Sequence, residues 1–149
     1  MTIKTISKTS VFPASVQVIS KKLQRLRTLQ HIAAPYAAFE PLDGSEDILW
    51  QSGQSFEFRF RLFGFIPFGI HRICVVDFDE SAIYTRESNT HVPVWNHRIT
   101  LEPLGNNCTR YTDEVEIGAG WKTPFVCLWA RMFYAHRQKR WIKLLRDEQ

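Results

Sequence analysis

Cysteine is scarce. The chain has three, Cys74, Cys108 and Cys127, with no C-x-x-C spacing among them. An odd number cannot all pair within one chain, so a disulfide-built scaffold is excluded and reduced, mostly buried thiols are expected. No run of uncharged residues comes near the roughly 20 of a membrane-spanning helix. The first residues, Met1 to Thr5, hold no continuous apolar segment. No secretory signal is therefore expected, and a cytoplasmic location is. Charge of one sign is not in large excess either. Nineteen basic residues against fifteen acidic give a net +4, which is mild for a dedicated nucleic-acid binder, and none is expected as partner. The five histidines, His31, His71, His91, His97 and His136, never fall at H-x-x-x-H spacing, and His71-x-x-Cys74 stands alone. No metal site is expected from them. There is no Gly-flanked serine of a nucleophile elbow and no Gly-rich phosphate loop, so no cofactor is expected. With no repeat, low-complexity tract or linker, residues 1–149 read as one domain.

What the chain has is aromatic side chains. They make up 13% of it, with eleven Phe and five Trp, and apolar residues together reach 44%. That is enough for a packed core and for something large to be lined. A β-branched strand is expected over Thr2 to Val11. Pro13 then fits the first turn of a helix, with Val16, Ile19, Leu23 and Leu26 on one face. A second short helix is expected over Arg25 to Ile32, ending before Pro35. Asp43-Gly44 marks a turn. Beyond it the period changes to two. Phe56, Phe58, Phe60 and Leu62 alternate with Glu57, Arg59 and Arg61. Further strands are expected over Ile70 to Phe78, Ala82 to Glu87, Trp95 to Glu102 and Arg110 to Ile117. The connections are too short for parallel crossovers, so the strands form antiparallel hairpins. Thr123 is placed as an N-cap with Pro124 just inside a long helix that runs to about Leu145. Phe125, Leu128, Trp129, Met132, Phe133 and His136 mark its expected apolar face. The basic run Arg137, Lys139, Arg140, Lys143 and Arg146 suits a helix C-terminus without any partner.

The fold class expected from this order is α+β. About six to seven antiparallel strands curl around the long C-terminal helix, and two short helices follow the first strand. A gap between sheet and helix is a natural site for an apolar ligand. Val11-Phe12-Pro13-Ala14-Ser15 leading into a helix resembles the start of the START and birch-pollen-allergen superfamily, SRPBCC. The segment Thr109-Arg110-Tyr111-Thr112-Asp113-Glu114-Val115-Glu116, with a long helix soon after it, is similar as well. The resemblance covers essentially the whole chain and rests on element order. It implies a helix-grip fold with a cavity for hydrophobic ligands. Its members include lipid, sterol and hormone binders, quinone-binding proteins and polyketide cyclases, and the fold does not choose among them.

Within that frame His97 and Asp113 are the first candidates. Pairing about the Asn106 turn sets His97 opposite Val115 and Asp113 opposite Ile99, which makes the two diagonal neighbours. An imidazole and a carboxylate facing a cavity can orient a polar head or move a proton. The alternatives are a purely structural pair, or a register slip that exposes both. Phe58, Phe60, Trp95, Tyr111, Trp129, Met132, Phe133 and His136 are expected to line the cavity. Arg72 is a candidate anion anchor whose orientation the sequence leaves open, because His71, Ile73 and Val75 compete for the same face. Phe65, Ile66 and Phe68, with Phe63, form an apolar tip between Gly64 and Gly69. That tip reads as a lid, as a transient membrane contact, or as a loop packed on the helix. The expected function is binding of a small hydrophobic or amphipathic ligand such as a lipid, quinone or polyketide. One alternative is a cyclase or dehydratase using His97 and Asp113. Another is an interaction module using the basic helix end. The oligomeric state is left open.

Overall fold

The computed structural model describes residues 2–46 and 48–148. Its seven strands form one antiparallel sheet, in the order β1-β7-β6-β5-β4-β3-β2. They are β1 (Lys4–Phe12), β2 (Ala37–Pro41), β3 (Ser55–Leu62), β4 (Ile66–Phe78), β5 (Ala82–Asn89), β6 (Val94–Gly105) and β7 (Cys108–Gly118). Helices α1 (Val16–Leu23) and α2 (Leu26–Ala33) follow β1, and α3 (Thr123–Asp147) closes the chain. Helix α3 packs on β1, β7 and α2, and α2 also reaches β2, so the helices bridge the two edges of the curled sheet. Among the described residues no helix is long and apolar enough to cross a membrane.

The β6–β7 hairpin has the register its alternation requires, with His97 opposite Val115 and Ile99 opposite Asp113. Its turn uses Asn106 and Asn107 at φ of 53° and 56°, the left-handed pair that suits asparagine in a two-residue hairpin. Both strands bury one face and expose the other, since a period of two puts neighbours on opposite sides.

Strand β4 departs from simple alternation twice. Its pairing with β3 shifts between Arg59 and Arg61, opposite Gly69, and its pairing with β5 shifts between Val75 and Asp77. Each bulge inserts one residue and reverses the alternation. As a result Phe68, then His71, Ile73 and Val75, then Phe78, all face inward. Arg72 is turned outward, with Glu57 at 3.5 Å.

Several local expectations need correction. Strand β4 begins at Ile66, so Ile66 and Phe68 belong to a strand and the hairpin tip shrinks to residues 63–65. Pro13 precedes α1, and Ser15 caps it by accepting from the Val18 amide at 3.3 Å. Thr123 caps nothing in α3. Its hydroxyl accepts from the Ala119 amide at 2.9 Å and donates to the Gly120 carbonyl at 2.8 Å, which ties down the turn before the helix. The short edge strand β2, Ala-rich and ending in proline, has no period that sequence reading could detect.

The inner face of α3 is also rolled away from the expected one. Ala130, Phe133, Tyr134, Arg137, Gln138 and Trp141 are buried, whereas Phe125, Leu128 and Met132 are exposed. The helix is apolar on most sides over its first four turns, so periodicity alone cannot choose its roll. Small Cys127 and Ala130 allow close approach. At the far end Trp141 meets Phe12 and Tyr111, with ring centroids at 5.8 and 6.0 Å.

Gly69 sits at φ +77°, and a Cβ there would lie 2.8 Å from Thr90 Oγ1. Gly64 has a similar φ of +81° with open space around it. Both Gly→Ala changes cost the left-handed penalty of about 1–2 kcal/mol. Gly69→Ala adds overpacking of about 1 kcal/mol or more. Chemical denaturation should therefore rank Gly69→Ala as clearly the more damaging of the two.

Candidate functional site

Between the concave sheet and α3 lies a cavity of about 580 Å³. Its wall is largely apolar. Phe60 and Leu62 of β3, Phe68, Ile73 and Phe78 of β4, Trp95 of β6, and Trp129 and Phe133 of α3 all contribute to it. Trp129 and Phe133 stack at 4.7 Å, and Trp95 lies 6.2 Å from Trp129. Hairpin strands that run antiparallel bring the connections 63–65, 90–93 and 119–122 to one end of the sheet. Trp121 and Phe125 line the cavity from this end while being 80% and 68% exposed, so they form its rim.

A polar belt crosses this apolar wall. On β4 and β5, His71 Nε2 lies 2.7 Å from Glu87 Oε1, and Thr85 Oγ1 donates to Glu87 Oε2 at 2.5 Å. On β6 and β7, His97 Nε2 lies 2.6 Å from Asp113 Oδ1. Gln138 of α3 donates from Nε2 to Asp113 Oδ2 at 3.0 Å and to the Lys8 carbonyl at 2.8 Å. Its Oε1 accepts from Ser10 Oγ at 2.6 Å. His71, Thr85, Glu87 and His97 line the cavity, whereas Asp113, 1% exposed, lies behind His97.

Burial pushes the Asp113 carboxyl up. The His97 hydrogen bond and charge, the Arg137 charge and the Gln138 amide outweigh that, so it sits below the ordinary carboxylate range. Glu87 follows the same pattern. Burial raises it, and His71, by hydrogen bond and charge, with His97 and Thr85, brings it below its ordinary value. An ionised carboxylate can only accept, so each histidine presents Nε2–H to its acid. Nδ1, a lone pair in the neutral imidazole and a second N–H in the charged one, has no hydrogen bond to a described residue on either His97 or His71. Tyr134 accepts from Trp95 Nε1 at 3.1 Å, and burial pushes its phenol well above its ordinary range, so it keeps its proton.

The sequence profile described as domain of unknown function (DUF8410) matches residues 11–145. The chain belongs to that family. No curated protein matches it by sequence. Solved structures share its fold at low identity. A START superfamily protein from Mycobacterium smegmatis aligns with TM-score 0.75 and 18% identity over 97% of this chain and 99% of its own. A protein from Chromobacterium violaceum gives 0.74 and 15% over 95% and 96%. The Zhui aromatase/cyclase from Streptomyces sp. R1128 gives 0.71 and 10% over 97% and 94%. The DUF8410 chain therefore has the START-like, helix-grip architecture.

Of the residues singled out from sequence, Phe60, Trp95, His97, Trp129, Phe133 and Phe68 come together on the cavity wall. The others do not. Phe58 is fully buried against Trp50 and Phe39 in a separate cluster. Tyr111 stacks on Phe12 at 4.4 Å, at the opposite end of the core. Met132 is exposed on the outer side of α3, and Phe65 projects into solvent. His136 stacks on Tyr36 at 4.6 Å and Nε2 lies 2.6 Å from the Ala34 carbonyl, a bond that joins α3 to the α2–β2 junction. Arg72 lies on the outer face of the sheet, as described above. Among the described residues no cluster of His, Cys, Asp or Glu could hold a metal.

Sequence reading missed His71, Thr85, Glu87, Tyr134, Arg137 and Gln138. The first three are hidden by the bulges of β4, which set the phase of its neighbour. Arg137 and Gln138 continue the Phe133–Tyr134 face by one turn, but they sit inside a basic run that reads as solvated.

Asp113 carries a pH signature. Its folded pKa is depressed, so its stabilising contribution is present above the unfolded value of about 3.9 and is lost as pH falls through the lower folded value. Asp113→Asn removes one member of a buried pair and should destabilise the protein by about 3–5 kcal/mol near neutral pH. In urea titrations the gap between wild type and variant should narrow as pH drops below about 4.

Proposed function

We propose that this protein binds a small hydrophobic or amphipathic molecule in the cavity between the sheet and α3. The observation that carries the reading is one space of about 580 Å³ walled by aromatic side chains and crossed by a single polar belt. Such a wall gives affinity through apolar burial and lets a few polar groups fix orientation. The rim formed by Trp121 and Phe125 is the side from which a ligand reaches the interior. Its exposed aromatics also suit transient contact with a lipid surface, which the sequence offers as one of three readings of the 63–69 loop.

A second reading, acid/base catalysis, has one specific support. His97 is oriented by a buried carboxylate through Nε2, which leaves Nδ1 for a substrate proton. In that reading Nδ1 takes a proton from carbon next to a carbonyl and the electron pair moves onto the carbonyl oxygen. The aromatase/cyclase from Streptomyces sp. R1128 shares the fold and makes this chemistry worth testing.

Native mass spectrometry of the protein purified from its own host is expected to show a retained molecule that is released on denaturation. A stoichiometric apo mass under gentle conditions would count against binding. His97→Gln keeps a donor for Asp113 and should preserve the fold. Affinity for the recovered ligand should fall by about 1–3 kcal/mol if His97 orients it. If His97 is an acid/base, binding persists and turnover collapses.

A further inference from the structure

Arg137 is a charged group of the cavity wall with nothing to bond. Its side chain is 8% exposed and lines the cavity. The guanidinium carbon lies 5.6 and 5.2 Å from the ring centres of Phe133 and Tyr134, one turn back on α3. The helix itself thus holds the side chain in place through two cation–π contacts. Its Nε is sealed away with no hydrogen-bond partner, and no hydrogen bond or ion pair joins the guanidinium to any described residue.

Two buried acids stand near enough to matter electrostatically, but their oxygens are already occupied. Asp113 spends one oxygen on His97 and the other on Gln138. Glu87 spends one on His71 and the other on Thr85. Neither carboxylate turns to the arginine. An arginine cannot shed its proton, and its terminal N–H groups form a planar fork. A cation with unmet donors in an apolar wall is unfavourable until an acceptor arrives. The acceptor that fits a fork best is a pair of oxygens on one atom carrying negative charge. With Asp113 and Glu87 already placing two negative charges near one arginine, every charge the ligand adds meets repulsion, so a singly charged carboxylate is favoured over a phosphate dianion.

We propose that the cavity's ligand carries one carboxylate and that Arg137 binds it, with the hydrocarbon body against Trp95, Trp129 and Phe133. This rests on the ligand-binding reading above. It names the ligand class and an anchor that no sequence motif marks.

The test uses two fluorescent probes that differ only in the head, pyrenebutanoate and pyrenebutanol. They are titrated near neutral pH, with quenching of tryptophan emission as the readout. Wild type should bind the acid at least about tenfold more tightly than the alcohol, since a hydrogen bond to a charged group is worth about 1.5–3 kcal/mol. Arg137→Gln should bring the two probes to similar affinity, and Arg137→Lys should keep part of the preference. If melting curves show that Arg137→Gln does not fold, Arg137→Met replaces it, because its chain still covers the two rings. Equal binding of both probes by wild type would overturn the anchor and leave the ligand-binding reading standing. A preference that survives Arg137→Gln would overturn it as well, by placing the anion elsewhere. Binding of neither probe would remove both.

Discussion

Gln138 uses both ends of its amide at once. The nitrogen reaches Asp113 on β7 and the Lys8 carbonyl on β1, and the oxygen takes the Ser10 hydroxyl. Three bonds from one side chain fasten α3 to the two strands beneath it and determine how the helix is rolled. The Gln138 amide and the Asp113 carboxylate lie in a region closed to water, where a polar atom without a partner is expensive. Rolling the helix by one residue would strand the amide and the carboxylate together. The aromatic face that would otherwise be free to choose its side is therefore subordinate. Phe133, Tyr134 and Arg137 face the cavity because Gln138 does not move, and Phe125, Leu128 and Met132 are left outside for the same reason.

The same carboxylate orients the candidate site. Asp113 holds His97 from behind and Gln138 from above, so one buried negative charge links the helix seat to the cavity wall. A buried charge of this kind contributes little net stability by itself, but its geometry is unforgiving. The second pair, His71 with Glu87, repeats the arrangement on the neighbouring strands. Each acid has both of its oxygens engaged by its own donors. Available to a guest are the Nδ1 of each imidazole, the guanidinium of Arg137, and the unpartnered Asn89 Nδ2 and Trp129 Nε1.

Much of this was legible in the residues. The clean alternation of β6 and β7 carries their register, and that register alone makes His97 and Asp113 neighbours. The period switch near Ser55 and the Pro124 signal mark the sheet and the long helix for similar reasons. The failures are equally specific. Parity and aromatic character put Phe58 and Tyr111 on the cavity wall, and they leave the face of Arg72 open. Parity in β4 is broken by bulges, and an aromatic ring fills a core as readily as it lines a void. Met132 and His136 failed because a helix apolar on most sides has no unique inner face. Gln138 and Arg137 were invisible because a polar side chain inside a basic run looks like solvent-facing surface. Only the partner across the fold gives it a reason to be inside.

The two bulges of β4 act like shifts of a reading frame. Between Phe68 and Phe78 the strand changes phase at Gly69 and again near Val76, and the second change undoes the first. Pairing the strand straight through either bulge, with no residue removed, would turn every side chain on one side of it inside out. Losing the first bulge in this way would put Arg72 and Cys74 in the wall in place of His71 and Ile73, whereas deleting the extra residue together with its bulge keeps their phase. Each extra residue is therefore matched to its bulge, and the two are kept or lost together if the interior is to stay the same.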